Sequence, residues 1–183
     1  MKNKKNKKQS ANILAYRDEA DRSYGLAGMS IGLASLDALD RVAYISIDSE
    51  GPMVEFTGEY YYGGSPSVSP KAAWRRMIDN YRLTSTLAVG NILARTLVQE
   101  GNNDPTDMLN ELFETIRLEG REVCQLEEDE LDNFINNIVG RSHRVFGNQR
   151  LYPAVQALAD LLRKERILTG RALAEEMHML RII

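Results

Sequence analysis

Apolar residues recurring three and four positions apart, block after block, constrain this chain more than any other feature. Met108, Leu109, Leu112, Phe113 and Ile116 form one stripe, Leu131, Phe134, Ile135 and Ile138 a second, and Val155, Leu158, Leu161 and Leu162 a third. That spacing gathers side chains on one face of an α-helix. The punctuation agrees. Ser69-Pro70 and Asp104-Pro105 each place an oxygen cap before a proline at the first helical position. Gly101, Gly120 and Gly140 read as stops, Pro153 opens another helix, and Thr169 caps a last one carrying Leu173, Met177 and Leu180. A helix is also predicted over 13–39, and a long one from Pro70 to about Val98 with a candidate break at Leu83-Thr84-Ser85.

Gly25, Gly28 and Gly32 fall inside the 13–39 helix. Each costs about 1 kcal/mol relative to alanine in a helix interior. Their presence implies either close backbone packing on another element or a frayed helix. The period then changes: Val42 to Ile47 and Val54 to Tyr61 read as strands, joined by turn residues from Asp48 to Pro52. A lone hairpin is marginal in water, so it must pack on the helices. The fold class expected is mainly α, a multi-helix domain with one small β-hairpin.

Length and charge set further bounds. The 183 residues suffice for one domain with a sizeable core, here 13–183. The first ten residues hold five lysines and no acid in a chain of net charge −3, so a basic arm over 1–12 precedes an acidic body. Lysines without interleaved aromatics read as a disordered, solubilising terminus rather than a nucleic-acid or membrane contact. No apolar stretch follows the arm as a secretory signal requires, and none reaches the length of a spanning helix. The single Cys124 excludes an internal disulfide and fits a buried thiol in a reducing, cytoplasmic setting.

Three stretches, in order, resemble one family. Asp18-Glu19-Ala20-Asp21-Arg22 is followed by a helix and the strand at Val42–Ile47. Gly101-Asn102-Asn103-Asp104 heads a helix, and Leu151 to Leu162 precedes Ile167-Leu168-Thr169-Gly170. This succession resembles the peptidase domain of FtsH-type zinc proteases, over roughly residues 15–180. The family carries His-Glu-Ala-Gly-His at the first stretch and its third zinc ligand, an aspartate, at the second. There is no Gly-x-x-x-x-Gly-Lys-Ser/Thr loop here, so no ATP is expected.

In His-Glu-x-x-His the two imidazoles clamp Zn²⁺ and the glutamate activates the bound water. By resemblance, Glu19 stands at the general-base position, Asp18 and Asp104 at ligand positions, and Arg22 at the remaining one. Guanidinium has no lone pair to give a metal. An alternative follows in which Arg22 takes the place of the metal charge and bridges Asp18 and Asp104. The plain readings are a solvated helix face for Asp18, Glu19 and Arg22, and a cap for Asp104. His143 and His178 read as structural. The family also receives substrate as an added strand, which implies a peptide-binding edge at Phe56, Thr57, Gly58 and Tyr60. The plainer reading is that the hairpin tyrosines cover the core.

The leading expectation is a degenerate peptidase scaffold that binds a peptide or protein without hydrolysis and needs no cofactor. One alternative is a metal-dependent endopeptidase with a rebuilt site, whose oxygen ligands would suit Mg²⁺ or Mn²⁺ better than zinc. Another is a nucleic-acid or membrane-surface adaptor working through the lysine arm, which the acidic body opposes.

Overall fold

A computed structural model describes residues 14–58, 69–99, 106–148 and 150–182. The basic arm expected over 1–12 lies outside them, as do Asp104 and Tyr60. Six helices are present among the described residues: α1 (Glu19–Ser35), α2 (Pro70–Gln99), α3 (Thr106–Glu122), α4 (Glu128–Phe146), α5 (Leu151–Glu165) and α6 (Gly170–Met179). The strands are β1 (Val42–Ser46), β2 (Val54–Phe56) and β3 (Ile167–Thr169), ordered β2-β1-β3 and antiparallel throughout. The mainly helical class is therefore the observed one. The sheet is one strand larger than a hairpin, because β3 pairs with β1 from Ser46↔Ile167 to Tyr44↔Thr169.

Local chemistry explains most boundaries. Asp18 caps α1, so that helix begins later than the predicted residue 13. The Ser69 hydroxyl accepts from Ala72 N–H at 3.3 Å at the head of α2, and Thr169 does the same for Ala172 at 3.2 Å at the head of α6. A reciprocal pair, Glu127 with Glu130, opens α4. Two predicted interruptions are absent. α2 runs unbroken through Leu83-Thr84-Ser85, where the Thr84 and Thr86 hydroxyls donate back to carbonyls three or four residues earlier. α4 continues past Gly140 because Ser142 and Phe146 beyond it are buried.

Helix α2 separates two apolar clusters. On one side, Leu83, Leu87 and Ala94 join Leu26, Ile45, Leu158 and Leu173 from α1, the sheet, α5 and α6. On the other, Tyr81, Val89 and Ile92 join Leu112, Leu131 and Ile135 from α3 and α4. Cys124 is fully buried in this second cluster, where burial and Glu119 push its thiol pKa up. Each buried leucine or isoleucine contributes about 1.5–3 kcal/mol. Helices α1 and α2 run antiparallel in close backbone contact, and the glycines explain it. A methyl on Gly28 would overlap the Gly90 carbonyl, one on Gly25 would meet Asn91, and one on Gly32 would press on the Thr86 carbonyl at 3.2 Å. Of the two meanings open for these glycines, close backbone packing is the one realised.

Candidate functional site

Asp18, Glu19 and Arg22, three of the residues singled out by the resemblance, lie at the start of α1. Asp18 is exposed, and its Oδ1 accepts the Asp21 N–H at 2.8 Å as an ordinary helix cap. Glu19 is exposed too, and its Oε1 accepts from Arg166 Nη1 at 2.8 Å. Arg166 follows α5 with a positive φ of 65°. From there its guanidinium also grips Asp48 as a fork, with Nε at 2.9 Å from Oδ2 and Nη2 on Oδ1. That contact holds the Asp48 carboxyl below the usual carboxylate range.

Arg22 does not reach Asp18. Its Nη2 donates to the Ser49 carbonyl, and its buried Nε has no partner among the described residues. The expected Asp18–Arg22 half of the bridge is thus not formed. The capping geometry turns the Asp18 carboxylate onto its own helix, and the β1–β2 loop supplies a carbonyl for the guanidinium. The Asp104 half lies outside the described residues.

The most buried charge at this end is Asp21, to which the sequence reading gave no role. Arg95 of α2 meets it with two bonds, Nε–Oδ1 at 2.7 Å and Nη2–Oδ2 at 2.8 Å, with side chains 4% and 0% exposed. Arg95 also donates to the Leu14 and Ala15 carbonyls at 3.0 and 2.9 Å and lies over the Tyr16 ring, 4.8 Å from its centroid. Burial acts to raise the Asp21 pKa, but the Arg95 bonds and the Arg17 N–H, at 2.9 Å, outweigh it and hold the carboxyl below its ordinary value. Tyr16 accepts from Asn91 Nδ2 at 2.6 Å, and burial raises its phenol pKa. One signal was available in the sequence. Asp21, Gly25, Gly28 and Gly32 share a helical face, an acid heading a stripe of glycines, and such a face needs a cation opposite.

The predicted peptide edge has a different setting. β2 lies at one side of the sheet among the described residues. Phe56 is buried, Thr57 N–H donates to the Arg41 carbonyl at 2.8 Å, and Gly58 is exposed with open space around it. Beside the strand runs an apolar groove of about 360 Å³, bounded by Met29, Met53, Val54, Phe56, Leu87 and Ala88. His143 and His178 are exposed on separate helices, α4 and α6. Among the described residues, no three His, Cys, Asp or Glu side chains are placed to hold a metal ion. No helix of the described residues is long and apolar enough to cross a membrane.

The fold and these sites define a mainly helical domain with a small antiparallel sheet and an apolar groove at the β2 side. No protein-family model matches the chain, no curated protein matches its sequence, and no solved structure matches its fold.

Proposed function

We propose that this domain is a non-hydrolytic peptide-binding module on a scaffold resembling FtsH-type peptidases, and that an extended apolar peptide is its ligand. The observation that carries the reading is the apolar groove beside β2. An extended segment laid along that strand would direct alternate side chains into the groove, where Met29 and Met53 adapt to varied shapes. Two features at the start of α1 support binding without hydrolysis. The Glu19 carboxylate is held by Arg166, and Arg22 puts a cation at a position the family gives to a metal ligand.

The test is fluorescence anisotropy with labelled extended peptides carrying alternating leucine and valine, set beside casein cleavage with added Zn²⁺, Mn²⁺ or Mg²⁺. Binding that is lost in Met53→Lys, together with no cleavage, supports the reading. Failure of every peptide to bind removes the module, and metal-dependent cleavage abolished by Glu19→Ala would replace it with an enzyme.

A further inference from the structure

We propose that a second pocket, between α2 and α4, binds a compact phosphate monoester with a planar apolar body. The pocket is about 320 Å³, at the small end of ligand sites. Arg82 and Thr86 of α2 face Asn137, Arg141 and Arg144 of α4 across it. Its apolar lining includes Ile78, Ile138 and Phe134, and the Phe134 ring is backed by Tyr81, stacked at 4.7 Å.

The charge balance favours an anion. Asp79 pairs with Arg82 at 2.8 Å. Arg141 donates to the Ser35 carbonyl at 2.8 Å, and Arg144 to the Gly140 carbonyl at 3.2 Å. A carbonyl orients a guanidinium without neutralising it. Among the described residues, two cationic charges therefore remain at the pocket, in a chain whose net charge is −3. A phosphate monoester carries about −1.5 to −2 near pH 7, which matches them, whereas a carboxylate leaves one unmatched. Arginine forks suit phosphate oxygens, and each of these guanidiniums keeps donors beyond its present bond. The planar body is assigned to the phenylalanine and isoleucine lining, and the Asn137 amide to a polar edge of that body.

The site is separate from the β2 groove. Thr84, Leu87 and Ala88 of α2 line that groove, while Arg82 and Thr86 line this one. Failure of peptide binding would therefore leave this proposal untouched.

The test is isothermal titration of the full chain with phenyl phosphate, inorganic phosphate and benzoate at low ionic strength. Phenyl phosphate is expected to bind about tenfold more tightly than either of the others. Arg144→Gln and Arg82→Gln should each weaken it by about tenfold or more, while Arg75→Gln, outside the pocket, should leave it unchanged. Circular dichroism confirms that the variants fold; Arg141 is spared because it also caps α1. Absence of phenyl phosphate binding at millimolar concentration overturns the proposal. So does binding that survives both pocket substitutions, or a single-stranded oligonucleotide that binds and that phenyl phosphate cannot displace.

Discussion

Arg95 and Asp21 meet across the α1–α2 contact as a doubly bonded ion pair, with the carboxylate wholly out of water. The arginine simultaneously anchors the carbonyls of Leu14 and Ala15, so one guanidinium ties the segment before α1 to the helix pair. Removing one partner strands a buried charge. Arg95→Met is expected to cost about 3–5 kcal/mol, and Asp21→Asn somewhat less because the amide keeps polar contacts. Urea unfolding of the singles and the double should show the double costing well under their sum. Additive losses would mean that the two side chains do not act as a pair.

The same pair sets an acid limit. Asp21 has a folded-state pKa below the ordinary value of 3.8. Its contribution is therefore present above that value and is lost as pH falls through the lower, folded value. Stability measured from pH 6 down to pH 2 should decline, and Asp21→Asn should flatten the part of that decline lying below about pH 4. An unchanged acid limb in the variant would assign the decline to other carboxylates.

Tyr81 gives the opposite sign at alkaline pH. Burial, followed by Cys124 and Glu119, raises its phenol to about 12, and its hydroxyl donates to the Ile116 carbonyl. Its stabilising effect is complete below the unfolded value of 10.0 and is lost as pH rises toward 12. Tyr81→Phe should be about 1 kcal/mol less stable at pH 7. The gap should narrow above pH 11, read by fluorescence-monitored denaturation. A gap that is constant across pH would contradict the raised pKa.

Glycines in two helices should respond with opposite signs. Gly90→Ala drives a methyl into the Gly28 carbonyl and should cost about 3 kcal/mol. Gly140 has open space around its Cβ direction in the interior of α4, so Gly140→Ala should stabilise by up to about 1 kcal/mol. Thermal melts of both variants decide the matter, and a destabilised Gly140→Ala would mean that α4 is strained there.

Local rules made the helices legible. Ser69 and Thr169 cap as their chemistry demands, and the stripes at Leu112–Ile116 and Leu131–Ile138 do enter the core. What escaped depended on distant partners. β3 has three residues and no usable period, and it is a strand only because β1 lies beside it. Arg95 stands 74 positions from Asp21, so no spacing rule links them. At the start of α1, the sequence drew attention to Asp18 and Glu19 and not to the buried Asp21. Asp18 and Glu19 face outward, while Asp21 turns toward α2 on the face of Gly25 and Gly28.

The crossing of α1 and α2 also governs how sequence variation can be tolerated. Asp21 and Arg95 are a matched pair, so a change in one can be answered by a change in the other, and libraries selected for folding should show the two positions varying together. Gly28 and Gly90 cannot behave that way. Each already lacks a side chain, and what obstructs it is the other's main chain. No substitution opposite can make room, so both should appear as fixed letters carrying no covariation signal, silent to any method that finds contacts by correlated change.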